Sequence, residues 1–130
     1  MKSHSFARQS EDSLIVVPCQ LDFDYLGLAL DTGASHTTID LTFLLMAGYE
    51  LKDSVRVEQL ETASGVIDVH VFLVRELRSL GITKQEVEVR AYDFLAHNFF
   101  ADFDGVLGLD FFTNVKFCVD LANSVITIQK

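Results

Sequence analysis

Apolar residues along this chain recur mostly at every second position, the spacing of a strand with one face in a core. After a polar opening of 12 residues (MKSHSFARQSED), residues 14–17 form an apolar, β-branched run ended by Pro18. Leu21, Phe23 and Tyr25 then alternate with Gln20, Asp22 and Asp24 as in a half-exposed strand, which predicts an opening pair of strands. Residues 26–30 (LGLAL) are nearly all apolar, as in a strand buried on both faces, and run directly into Asp31, Thr32 and Gly33. A helix is predicted over 41–47, with Asp40 as its cap, Leu41, Leu44 and Leu45 on one face and Gly48 as its stop. Further strands are expected around Val55 and Val57, from Val66 through Leu73, and around Val87, Val89 and Ala91, with turns at 63–65 and Gly81. Residues 105–108 (GVLG) lead into one or two helical turns at 109–112. Val115, Phe117 and Val119 then pair with 125–128 through a turn at Asn123 and Ser124.

Strands dominate, so the fold class is all-β with one or two short helices. At 130 residues the chain suits a single domain, read as a flexible polar leader over 1–12 and a folded unit over 13–130. Hydrophobic residues make up 49% and charged residues 22%, which is enough apolar material for a core and argues against disorder. The net charge of −9, with no basic tract, repels phosphate backbones and removes nucleic acid from consideration. No apolar run approaches the roughly 20 residues of a spanning helix, and the N-terminus lacks the apolar centre of a secretory signal; a soluble cytoplasmic protein without membrane partners is expected. Cys19 and Cys118 are read as two buried thiols, and the scattered His4, His36, His70 and His97 offer no metal-binding spacing. Neither metal nor cofactor is expected.

The chemistry concentrates in Leu28-Ala29-Leu30-Asp31-Thr32-Gly33-Ala34-Ser35. A buried strand that delivers an acid to a turn holds that acid rigidly, and Gly33 allows close backbone approach and unusual dihedrals. Alone, an Asp-Thr-Gly triplet is as readily an Asx-type turn. A second element, Val106-Leu107-Gly108 before the short helix, lies about 75 residues on. Together the two resemble the signature of aspartic peptidases of the retropepsin-like kind. That resemblance implies a small, partly closed β-barrel lobe in which the second element packs beside the catalytic loop in a psi-shaped arrangement, with Asp31 as the catalytic carboxylate. It also implies that the Thr32 hydroxyl bonds the opposite loop across a symmetric interface. The turn at Ala63, Ser64 and Gly65 stands where the family carries a flap over its substrate, although a plain hairpin accounts for it equally well.

Peptide hydrolysis needs one group to deprotonate water and another to protonate the carbonyl oxygen. Two carboxylates about 3 Å apart cannot easily both ionise, so they share a proton and supply both functions, a behaviour for which aspartic proteases are the standard illustration. One Asp-Thr-Gly is present, and the nearest second candidate, Phe103-Asp104-Gly105, lacks the hydroxyl residue. The expected partner is therefore a second copy of the chain, with a peptide or protein substrate between the two. Ala34 stands where acid-adapted relatives often carry serine, so the dyad is expected to work toward mildly acidic or neutral pH. Seven of the eleven phenylalanines fall between Phe94 and Phe117; core packing is favoured for them over lining apolar substrate pockets, where Phe99, Phe100 and Phe103 are the candidates. Asp102, Asp104 and Asp110 are read as turn and capping residues. The rival readings are a catalytically silent dimeric peptide-binding module of the same fold and a monomeric barrel that carries a small apolar ligand.

Overall fold

The computed structural model describes residues 1–63, 65–94 and 102–130. Ten strands, one α-helix and two 3-10 turns account for most of them. In chain order the elements are β1 (Lys2–Ser5), β2 (Val16–Leu21), β3 (Asp24–Leu30), β4 (Thr38–Asp40), α1 (Leu41–Met46), β5 (Arg56–Thr62), β6 (Gly65–Ser79), β7 (Ile82–Tyr92), β8 (Gly105–Leu107), β9 (Lys116–Asp120) and β10 (Val125–Gln129). The 3-10 turns are Leu51–Asp53 and Leu109–Phe112, the second at the position read from the sequence.

Seven strands pair in the order β2-β3-β8-β4-β7-β6-β5, and β2 also pairs with β6 through Cys19, Gln20 and Leu21. That last pairing closes six strands into a barrel and leaves β5 as the outer arm of a hairpin with β6. Inward positions such as Val17, Leu21, Leu28, Phe72, Val74, Leu77 and Leu107 fill the barrel and are almost completely buried. Each large apolar side chain removed from water this way contributes about 1.5–3 kcal/mol. Phe111 and Phe112 join the same core, and Phe112 stacks on Phe117 with ring centroids 4.1 Å apart. These three phenylalanines pack as core residues, whereas Phe99 and Phe100 lie outside the described residues.

A separate three-stranded sheet has the order β1-β10-β9. Its first strand falls inside the segment read as a flexible leader. Lys2 to Ser5 pair antiparallel with Ile128 to Val125, and the Phe6 N–H donates to the Ser124 carbonyl. The pairing is made by main-chain groups, which any sequence offers, so the polar side chains of β1 gave no sign of it.

The opening hairpin differs from its expected form as well. Leu21 is buried, but the turn falls at Asp22 and Phe23, with Asp22 at φ 53°, and Phe23 and Tyr25 are exposed. The Asp22 carboxylate accounts for that turn, since it accepts the Tyr49 hydroxyl at 2.6 Å and the Glu76 N–H at 3.1 Å. In α1 only Leu44 is fully buried and Leu45 is exposed. Asp40 precedes α1 without capping it through its side chain; its carboxylate instead accepts the Phe94 N–H at 3.3 Å. The parallel register of β4 with β7, which sets Asp40 beside Tyr92, brings that donor within reach.

Candidate active site

β3 ends at Leu30, and Asp31 follows as the chain leaves the barrel wall. Between β3 and β4 lies β8, parallel to β3 (Ala29 beside Val106, Leu30 beside Leu107) and antiparallel to β4 (Thr38 beside Val106). The loop 31–37 therefore arches over the end of a strand that arrives more than 70 residues later. This is the psi-shaped arrangement expected for Val106, Leu107 and Gly108. The Asp31 N–H donates to the Leu107 carbonyl at 3.1 Å, and the Ala34 N–H donates to the Asp31 carbonyl at 3.2 Å. The Asp31 carboxylate accepts the Gly33 N–H at 2.9 Å on Oδ1 and stays partly exposed. Gly33 does not use a positive φ; of the freedoms read for it, what it provides is space, since a Cβ there would lie 3.2 Å from Asp31 Oδ1. Thr32 and Ser35 are exposed, and Ala34 is partly buried.

A polar knot fastens this loop from behind. Thr37 is 2% exposed; its hydroxyl donates to Asp110 Oδ1 at 2.8 Å and accepts the Gly108 N–H at 3.1 Å. The Thr37 N–H donates to the same carboxylate, and the Leu109 N–H reaches the Ala34 carbonyl at 2.9 Å. Gly108 must be glycine, because a Cβ would stand 2.6 Å from the His36 carbonyl carbon and 2.9 Å from the Ala34 oxygen. Asp104 performs a similar service lower down: its carboxylate accepts the Gly27 N–H at 3.1 Å and its own N–H donates to the Gly27 carbonyl at 2.7 Å. At Gly105, φ is 151° and an added Cβ would strike the Thr38 carbonyl oxygen, so glycine alone fits. Asp104 and Asp110 are thus long-range ties between motifs, not the local turn and capping groups anticipated. Thr37 was missed in the sequence; its place six residues after Asp31 was the available signal.

The loop borders a cleft of about 480 Å³. Residues 33–36 form one side, and the β5–β6 hairpin contributes Glu58, Leu60, Ile67 and Val69. The hairpin expected as a flap does stand against the loop, but its arms line the cleft. Of its turn, Ala63 and Gly65 are outside the lining, and Ser64 lies outside the described residues. From β7 come Arg90 and Tyr92, with Phe94 beyond them. Arg90 Nη2 donates to Glu58 Oε2 at 2.9 Å, Arg56 Nε donates to Glu58 Oε1 at 2.7 Å, and Arg56 continues to Glu88 through two bonds of 2.6 and 2.8 Å. The guanidinium of Arg56, followed by that of Arg90, holds the Glu58 carboxyl below the usual glutamate range, and Arg56 does the same for Glu88. The composition of this cleft was not read from the sequence, where an arginine among Val87, Val89 and Ala91 was the one hint.

A family model described as "Aspartyl protease" matches residues 22–111, more than two thirds of the chain and all of the elements that build the loop. The chain belongs to the aspartyl protease family. A solved structure described as a retropepsin-like aspartic protease from Rickettsia conorii superposes with a TM-score of 0.71, covering 98% of each chain at 16% sequence identity. That degree of identity speaks to the fold, which is retropepsin-like. No curated protein matches the sequence. In this aspartyl protease lobe one cysteine departs from expectation: Cys19 is buried as read, whereas Cys118 on β9 is exposed. Burial pushes the Cys19 thiol up to about 11. β9 is an edge strand with one neighbour, so its side chains have no second layer to cover them.

Proposed function

We propose that the chain is one half of a homodimeric aspartic endopeptidase, in which Asp31 and the partner subunit's Asp31 share one proton and hydrolyse peptide bonds with an activated water. The observation that carries this reading is a single carboxylate held at the end of a buried strand, its loop tied to β8 by main-chain bonds and opening beside a cleft. One ionised carboxylate of the pair takes a proton from water while the protonated one donates to the carbonyl oxygen, giving a gem-diol; as the C–N bond breaks, the proton taken from water passes to the leaving nitrogen and a diol hydroxyl gives its proton to the other carboxylate, so the pair again shares one proton. No covalent intermediate is needed. A single lobe supplies one acid, so a two-fold axis beside the exposed Thr32 and Gly33 completes the pair.

Without a hydroxyl at position 34 to favour the charged carboxylate, the dyad is set for mildly acidic to neutral pH. The test is digestion of a diverse peptide mixture from pH 3 to 8, read by mass spectrometry, with Asp31→Asn as control and the solution mass measured alongside. Cleavage by the wild type alone, with a mass twice that of the chain, is the expected result. Absence of cleavage across that range, or a monomer that remains fully active, would overturn it, and a rate maximum near pH 2 would contradict the role given to Ala34.

A further inference from the structure

The cleft beside the catalytic loop is apolar over most of its wall, yet Arg90 stands in it and is 8% exposed. An arginine is almost never buried without partners. Arg90 spends Nε and Nη2 on the Glu58 carboxylate, at 3.2 Å and at 2.9 and 3.3 Å. The remaining nitrogen, Nη1, makes no hydrogen bond to a described residue, and it is not among the buried side-chain atoms lacking a partner. Arg90 lines the cleft, and the N–H groups of Nη1 are unspent among the described residues. Glu58, the other charge in the cleft, is held by two guanidinium groups, Arg56 and Arg90, which offset its repulsion of an incoming acceptor.

We propose that Arg90 is a specificity-determining residue, and that this cleft receives a substrate side chain ending in an oxygen acceptor, that of glutamate or glutamine, against Nη1. The proposal rests on the peptidase reading and names the substrate feature that its site selects. A side chain of this length places its terminal oxygen against the guanidinium while its methylenes pack on Leu60, Ile67 and Val69. An aliphatic side chain of equal size fills the same space but leaves the Nη1 donors desolvated and unpaired, which is the stronger source of discrimination. Ion pairing of Arg90 with Glu58 fixes the guanidinium plane, so the donor is oriented before substrate arrives.

The experiment uses the full chain and a position-scanning set of peptides differing only in Glu, Gln, Leu or Val at each site near the scissile bond. At one such site Glu or Gln is expected to exceed Leu in kcat/KM by about tenfold or more. The ratio of Glu to Gln separates a carboxylate preference from an amide preference within the same chemistry. The double variant Arg90→Leu/Glu58→Leu removes both members of the pair and is expected to reverse the order in favour of Leu. Arg90→Lys, which keeps the charge and loses the third donor direction, reduces the preference without reversing it and serves if the double variant does not fold. Binding of the same peptides to Asp31→Asn, followed by fluorescence anisotropy, is independent of turnover. Cleavage with Leu equal to or better than Glu and Gln at every site overturns the proposal while leaving the peptidase reading intact. No cleavage, but tighter binding of the Glu or Gln peptide to Asp31→Asn, overturns the peptidase and retains the role of Arg90. Neither cleavage nor a binding preference overturns both.

Discussion

Replacing Thr37 with valine tests whether the knot behind the Asp31 loop holds it in place. Valine keeps the shape of threonine and removes only the hydroxyl, which in this protein donates to Asp110 and accepts the Gly108 N–H. The Gly108 N–H is then left buried without an acceptor, a loss of about 1–3 kcal/mol, and one charge-assisted bond to the carboxylate disappears. Because the Thr37 N–H still reaches Asp110, and the new methyl group recovers some apolar burial, the net expectation is roughly 2–4 kcal/mol. For a chain of this size that lowers the melting temperature by roughly 10 °C. Urea unfolding followed by circular dichroism, at one fixed protein concentration for both proteins, gives the free-energy difference. Peptide cleavage is expected to fall further than stability alone accounts for, since the same hydroxyl fixes the end of the loop that carries Asp31. A difference under about 0.5 kcal/mol, the scatter of ordinary surface substitutions, would refute the reasoning, because no relaxed geometry can restore an acceptor to Gly108 that cheaply.

Gly108→Ala forces a Cβ to 2.6 Å from the His36 backbone, so β8 or the loop must shift; a loss of more than about 3 kcal/mol, or failure to fold, is expected by the same unfolding assay. Thiol titration of the native chain with an aromatic disulfide is expected to find one reactive group, Cys118, and two after denaturation, because Cys19 is buried with its thiol raised to about 11. The carboxyls of Glu58 and Glu88 sit below the ordinary 4.5 when folded, so their contribution is complete above that value and is lost as pH falls through the lower folded values. The urea midpoint is accordingly expected to decline below pH 4.5, and Arg56→Met, which removes the first cause of both shifts, to flatten that decline. An unchanged slope in Arg56→Met would reject the assignment.

Most barrel strands were legible because they carry period-two alternation or an apolar run, whereas the three-residue β4 (Thr38–Asp40) was not read; the loop was legible because Asp31-Thr32-Gly33 and Val106-Leu107-Gly108 each have a distinctive composition. What escaped notice was written in pairings. β1 has four polar or charged residues and is held by main-chain bonds, which leave no compositional trace. Phe23 and Tyr25 satisfied the alternation rule, but a left-handed Asp22 turned the chain before they could reach the core. Arg90 and Glu58 are 32 residues apart and meet only because β5, β6 and β7 run side by side in one register. Asp110 looked like a residue of the turn it begins; its partner is Thr37, 73 positions earlier, and no local rule joins them.

The insertion of β8 between β3 and β4 also has a consequence in time. Asp31 is made more than 70 residues before Gly108, Leu109 and Asp110, whose bonds to Thr37 and Ala34 fasten its loop from behind. The loop around Asp31 takes its shape only once β8 has been made and has paired between β3 and β4.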